Sequence, residues 1–402
     1  MKKFVTFLLV VTLTLGLATQ ANAIELVDKE YDWERLKGQN VTLNVFNWGE
    51  YMSLGQDDSM NVNKEFEKLT GIKVNYQMFA NNEEMYTKLK SGGAEYDVVI
   101  PSDYMIGKMI SEDMLLPLDF SKIPNFQYIG EQYKNSAFDP KNEYYVPYMW
   151  GTVGIIYNTT MVDIPVDSWD ILWNEEYAGD ILMFGNSRDA FAISLIKNGL
   201  SLNPKSLEDI EVAKQDLKDQ KAVVQAYVND EIFDKMGGGE AAIAPYYAGD
   251  AIVMMEENPD LAFVVPKEGT NYFVDGAVIL KDAKNAEAAH MYLNFLCETE
   301  VAKANAEFIG YSTPQVLTLE ELDEDVRNNP VAYPSQEVLA KTEAFVTLPE
   351  ELNEAMDKAW SEIRSYNQES NNMFMPIMFM IGVVVLIIMT SIRSKQKKKI
   401  DY

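Results

Sequence analysis

The sequence predicts an α/β protein built around parallel β-structure, and three features point there. Short apolar strands alternate with amphipathic helical stretches between residues 41 and 100. A long run, Val146 to Asn158, reads as an extended crossover into a second unit. A strand after Asp275 then offers a return toward the first unit. At 402 residues the chain is long enough for two or three domains. Its 47% hydrophobic and 11% aromatic content supplies a core and excludes disorder.

Each element has a local reason. Val41, Leu43 and Val45 alternate with polar residues and lead into Phe46-Asn47-Trp48, a strand. Val62, Phe66 and Leu69 fall on one helix face. Val74 to Met78 reads as a strand and Met85 to Leu89 as a helix stopped by Gly92-Gly93. Tyr96 to Ile100 reads as a buried strand that stops at Pro101. This β-α-β-α-β order implies a parallel sheet with helices on both faces. In the second unit, Ser206 with Asp209 reads as a capping box opening a helix that runs to about Gln220. Ala241 to Tyr247, Leu261 to Pro266 and Ala277 to Leu280 read as strands, and residues 349–372 as an acidic helix.

The two ends read as separate from the fold. Lys2 and Lys3, the apolar run Phe4 to Leu17 and Ala21-Asn22-Ala23 have the layout of a secretory signal over residues 1–23. Met373 to Ile392 carries no charge and is long enough to span a bilayer. A basic tail, 393–402, follows it, so the expected arrangement is a C-terminal transmembrane helix with a cytoplasmic tail. The rest of the chain would then lie on the extracytoplasmic face of the membrane.

Composition excludes several classes of function. The 62 Asp and Glu outnumber 34 Lys and Arg, for a formal net charge of −28, and both ends are basic, so the body is more acidic still. Such a body repels anions and is a poor nucleic-acid partner. One Cys leaves no intramolecular disulfide, and one His with one Cys cannot close a zinc shell. No G-x-S-x-G elbow, phosphate loop or H-E-x-x-H stands in the chain. His290 and Cys297 share one helical stretch and read as structural residues. No catalytic residue, metal or cofactor is expected.

What remains is a set of carboxylates interleaved with aromatics: Trp48-Gly49-Glu50-Tyr51, Ser102-Asp103-Tyr104, Asn186-Ser187-Arg188-Asp189, Tyr246 to Asp250, and Phe273-Val274-Asp275. The first two follow strands, at the sheet edge where α/β proteins bind ligands. Carboxylates supply charge for ammonium groups, while aromatic faces bind cations and cover methylene chains. A flexible diamine or triamine needs that combination. A carboxylate-dependent glycosidase is the enzymatic alternative. A binder of another solute, such as an organic anion, thiamine or iron, is the other. An anion binder needs basic groups, and Arg188 is the only one within these segments.

Several stretches are long and correctly spaced: FNWGEY (46–51), EFEKLTGIKV (65–74), YDVVIPSDYMIGKM (96–109), VPYMWGTVGI (146–155), VVPKEG (264–269) and IGYSTP (309–314). On them the chain resembles the spermidine/putrescine-binding proteins of polyamine ABC importers, from about Val41 to Pro334. The resemblance implies a two-lobed periplasmic-binding-protein-like fold of type II, each lobe a mixed sheet flanked by helices. Lobe 1 would comprise 39–151 and 274–320, lobe 2 would comprise 152–273 and 321–366. The ligand would lie in the cleft between them. Trp48, Glu50 and Tyr51 match the family's first loop, and Ser102 and Tyr104 its Ser-x-Tyr. Asp189 matches an acidic position before a helix, Tyr247 and Tyr311 match wall aromatics, and Phe273 and Asp275 match the aromatic-x-Asp that binds an amine. Asn186 stands where better-known members carry Asp, Tyr247 and Phe273 where they carry Trp, and Gly49 where they carry a hydroxyl residue. The family's C-terminal amide falls near Glu343 to Phe345. Losing one carboxylate and two indoles would favour a shorter polyamine. The implied protein is a monomeric, non-enzymatic binding subunit, tethered by its C-terminal helix, that delivers polyamine to a permease driven by a cytoplasmic ATPase.

Overall fold

A computed structural model describes residues 24–92 and 95–366. The first strand, β1 (Thr42–Trp48), buries Leu43, Val45 and Phe46. It pairs in parallel with β2 (Lys73–Phe79) on one side, from Thr42 opposite Lys73 to Trp48 opposite Phe79. On the other side it pairs in parallel with β3 (Val98–Val99). The ladder at β3 is shorter than the five residues expected. Pro101 has no N–H to extend it, and the Asp97 carboxylate instead accepts the Asn44 and Asn285 N–H groups.

The long apolar run forms β4 (Tyr145–Asn158), with every residue but Tyr157 buried. Four strands follow: β5 (Ile181–Phe184), β6 (Val224–Val228), β7 (Ile243–Tyr247) and β8 (Leu261–Val264). The chain then returns through β9 (Thr270–Ile279), and β10 (Thr342–Ala344) lies beside it. The strand order is β2-β1-β3-β9-β4-β7-β5-β6, with β10 on β9 and β8 on β4.

β4 belongs to both halves of this order. Its first part, through Thr152, pairs antiparallel with β9, and its second part, from Val153, pairs antiparallel with β7 and β8. The register slips between Pro147 and Met149, where the proline cannot donate to the ladder. Two lobes are thus built on one shared strand, and each carries helices against its sheet. β9 begins seven residues earlier than expected. Asn271 and Asp275 broke the apolar pattern in the sequence, yet both are buried in the middle of the sheet.

Local signals elsewhere are realised. Ser206 and Asp209 cap each other's backbone at the start of the helix Leu207–Gln220. The helix Glu350–Ser365 packs on that helix and on Ser187–Lys197. His290 is held by backbone on both sides, accepting the Asp119 N–H at Nε2 and facing the Ala286 carbonyl at Nδ1. Cys297 is buried, and burial pushes its thiol up.

One part of the expected fold class is corrected. The two-lobed α/β fold stands without the C-terminal transmembrane helix: among the described residues no helix is long and apolar enough to cross a membrane. That expectation rested on the uncharged run Met373 to Ile392 and the basic tail 393–402, and both lie outside the described residues, as does 1–23.

Candidate functional site

The strand ends of both lobes meet around one cavity that is open at its mouth, with about 830 Å³ of space not filled by protein atoms, solvent at the mouth included. All eleven residues singled out in the sequence line it: Trp48, Glu50, Tyr51, Ser102, Tyr104, Asn186, Asp189, Tyr247, Phe273, Asp275 and Tyr311.

Backbone geometry explains how they arrive. β1 ends at Trp48, and Glu50 takes a left-handed conformation (φ 46°) that turns the chain so that Tyr51 re-enters the core. A non-glycine residue in that region carries strain, which is found where structure around it fixes the geometry. Ser102 and Tyr104 sit at the start of the helix Asp103–Ser111, directly after β3. Asn186 is the N-cap of the helix Ser187–Lys197, where its Oδ1 accepts the Asp189 N–H at 2.9 Å. Asp189 thus lies in the first turn of that helix, not before it. Tyr247 ends β7, and Phe273 and Asp275 come from the middle of β9, opposite Gly151 and Met149 of β4.

Hydroxyl groups hold the carboxylates in place. Tyr51 donates to Asp275 Oδ2 at 2.6 Å, Tyr247 to Asp189 Oδ2 at 2.7 Å, Tyr104 to Glu83 Oε1 at 2.9 Å and Tyr311 to Asp250 Oδ2 at 3.0 Å. Asp275 Oδ1 is buried and has no hydrogen-bond partner. The aromatic rings meet edge to face: Tyr51 with Tyr311 at 5.1 Å between centroids and Tyr247 with Phe273 at 5.6 Å.

Sequence reasoning left several wall residues out of the site. Glu83, Asp230 and Asp250 line the cavity, with Phe184, Phe233, Tyr246 and Phe345. Asp250 stood in a carboxylate-aromatic segment, and Phe345 in the stretch where an amide was expected. Glu83 and Asp230 open ordinary acidic helix starts and gave no signal. Arg188, the one basic residue within the marked segments, stays apart. It does not line the cavity; its Nη2 donates to Asn203 Oδ1 and to the Val346 carbonyl, and its guanidinium lies 4.6 Å from the Phe345 ring centroid.

The lining therefore holds six carboxylates, ten aromatic rings and no Lys, Arg or His. Burial pushes the Asp275 carboxyl up to about 7, against the pull of the Tyr51 and Ser102 hydroxyls. Burial likewise lifts Asp250 to about 8 and raises Asp189 and Glu83. Behind the wall, Asp103 is lifted to about 8 by burial and by the charge of Asp275. Ionising these groups together in an enclosed space is unfavourable unless a cation joins them. The cavity is suited to a molecule with positive ends and an apolar body, and it is unsuited to an anion.

A family model described as bacterial extracellular solute-binding protein matches residues 61–332. The chain belongs to this family. Extracytoplasmic placement follows from the family, whose curated relatives are periplasmic. The spermidine/putrescine-binding periplasmic protein of Escherichia coli K12 is 38% identical over 307 residues, covering 76% of this chain and 86% of that protein. Two solved structures are each 37% identical and cover 81% of this solute-binding protein and 99% of their own chains. One, from Listeria monocytogenes, is described as a spermidine/putrescine ABC transporter and superposes with a TM-score of 0.77. The other is the spermidine/putrescine ABC transporter substrate-binding protein PotD of Streptococcus pneumoniae, with a TM-score of 0.68.

Proposed function

We propose that this solute-binding protein captures a protonated polyamine, of the spermidine and putrescine class, between its lobes and hands it to an ABC permease for import. The observation that carries the reading is the cavity lining, six carboxylates among ten aromatic rings with no basic side chain. Relatives whose names specify spermidine and putrescine support the same ligand class. Ammonium groups pair with Asp275, Glu50 and Asp189, and methylenes lie against Trp48, Tyr247, Phe273 and Tyr311. Ser102, Tyr104, Tyr51 and Asn186 hold those groups in place. The role is binding rather than turnover, and it uses no metal or cofactor. The protein acts as a monomer.

Closure is the coupling step. β4 and β9 cross between the lobes, and we place the lobe limits near residues 151–152 and 273–274. Contacts such as Tyr311 with Asp250 form only when the lobes meet, so a ligand that bridges them shifts the population toward the closed form. The closed form is what the permease recognises.

Calorimetric titration with putrescine, cadaverine, spermidine and spermine at physiological salt tests the reading. Micromolar or tighter binding of at least one amine is expected. Silence with all four, or binding of an organic anion instead, would reject the polyamine assignment.

A further inference from the structure

The carboxylates of the cavity fall into three stations. Glu83 and Asp189 stand at one end, where Glu83 also borders a second cavity near Arg188 and Asp357. Asp275 lies buried between the ends. Glu50, Asp230 and Asp250 stand at the other end, where the cavity opens into a broad acidic groove that they also line. The first two stations are built from residues the sequence marked, plus Glu83. The third contains one side chain that no motif marks, Asp230.

Asp230 has an unusual neighbour. A Cβ placed on Gly49 would lie 2.5 Å from Asp230 Oδ2, well inside contact distance. Gly49 does not need to be glycine for its backbone, since its φ is not in the left-handed region. The missing side chain makes room for the Asp230 carboxylate, which reaches from the lobe of β6 to the loop after β1 and stops beside Glu50. Partial burial, and then the charges of Glu231 and Glu50, raise the Asp230 carboxyl. Asp230 has no basic partner among the described residues.

Resting on the polyamine reading above, we infer that Asp230 is a specificity-determining residue that receives the third ammonium group of a triamine, and that Gly49 is glycine to admit it. A diamine satisfies two stations, and Asp275 with the Asp189 end provides them. A triamine reaches the mouth as well, where its last ammonium sits between Glu50 on one lobe and Asp230 and Asp250 on the other. The mouth carboxylates repel one another when the lobes close, and a cation there removes that repulsion. The loss of a carboxylate at Asn186 is thereby offset at the opposite end of the cavity, which favours the longer amine over the shorter one expected from the sequence.

The test is the affinity for spermidine and putrescine of the wild-type chain, Asp230→Asn, Asp230→Ala, Gly49→Ala and the double variant Gly49→Ala with Asp230→Ala. Asp230→Asn should weaken spermidine about tenfold and leave putrescine within about twofold. Gly49→Ala should weaken spermidine in the wild-type background and do little once Asp230 is alanine, a non-additive cycle. Equal losses for both amines in Asp230→Asn, or a Gly49→Ala cost that is the same in both backgrounds, would overturn the inference. If the wild-type chain binds neither amine, the polyamine reading fails first, and this outcome is distinct from binding without discrimination. The Asp230 side chain makes no cap hydrogen bond to its own helix, so Asp230→Asn should melt with the wild type, and a matching melting temperature separates lost recognition from lost folding.

Discussion

Tyr51 donates its hydroxyl to Asp275 Oδ2 at 2.6 Å, and the other oxygen of that carboxylate is buried without a partner. Tyr51 comes from the loop after β1 and Asp275 from the centre of β9, 224 positions later in the chain. The hydroxyl fixes the carboxylate and leaves its other oxygen to a donor carried by the ligand. A buried acceptor without a partner is costly, and a donor carried by the ligand removes that cost.

Removing the carboxylate should therefore weigh most on binding. Asp275→Ala should weaken amine binding by about 2–5 kcal/mol, the range for deleting one partner of a desolvated charge pair. Titration calorimetry of the variant checks it. Asp275→Asn keeps the shape and should lose nearly as much, because charge rather than volume is the requirement.

Aromatic walls should contribute less per residue. Phe273→Ala or Trp48→Ala should cost about 1–3 kcal/mol in affinity, combining lost cation–π contact with lost cover over the methylenes. Phe273→Leu keeps the apolar cover and should recover part of that loss in the same titration.

Affinity should rise with pH between about 6 and 8. In the ligand-free cleft burial lifts Asp275 to about 7 and Asp250 to about 8, so each holds a proton below those values. A bound ammonium favours the ionised form, so binding expels protons, and aliphatic amines themselves stay charged through this range. The same shifts act on stability. A carboxyl raised in the folded state lets the fold lose stability as pH climbs from about 4, its unfolded value, through 7 to 8. The rise in melting temperature caused by saturating amine should be larger at pH 8.5 than at pH 5.5. An equal rise at both would show that these carboxyls do not take part.

Closure should depend on Gly249. A Cβ there would sit 1.8 Å from the Tyr311 ring, so Gly249→Ala cannot coexist with the present contact between the helix Ala248–Glu257 and Tyr311, which follows the helix Thr299–Ile309. The helix itself tolerates alanine well. Gly249→Ala should lower affinity more than tenfold while leaving the melting temperature of the ligand-free protein nearly unchanged. Small-angle scattering should show it staying open at amine concentrations that close the wild type.

Much of this site was legible before the structure. Carboxylates and aromatics gathered at strand ends because strand ends in α/β sheets converge on one edge, and short-range order fixes that edge. Trp48, Glu50, Ser102 and Tyr104 could be placed on that ground alone. Glu83 and Asp230 could not. Each begins a helix, where an acidic residue is favoured by the helix dipole whatever else it does. Only the meeting of two lobes brings them to the cavity. Arg188, the only basic residue within those segments, stays out of the cavity. Its sequence neighbours line the cleft, but its side chain is drawn off by Asn203, the Val346 carbonyl and Phe345, contacts separated from it by up to 158 positions. Strand β9 was under-read because polar residues in a central strand hide the pattern that marks an exposed one. The transmembrane helix was read from an uncharged run and the basic tail behind it, and among the described residues no helix is long and apolar enough to cross a membrane.

The most direct test of the account is a crystal structure of the protein with spermidine. The account predicts closed lobes and an ammonium nitrogen within about 3.2 Å of Asp275 Oδ1, with the methylenes against Phe273 and Tyr247. An amine bound away from Asp275, or a closed cleft in which Asp275 Oδ1 meets no ammonium group, would contradict it.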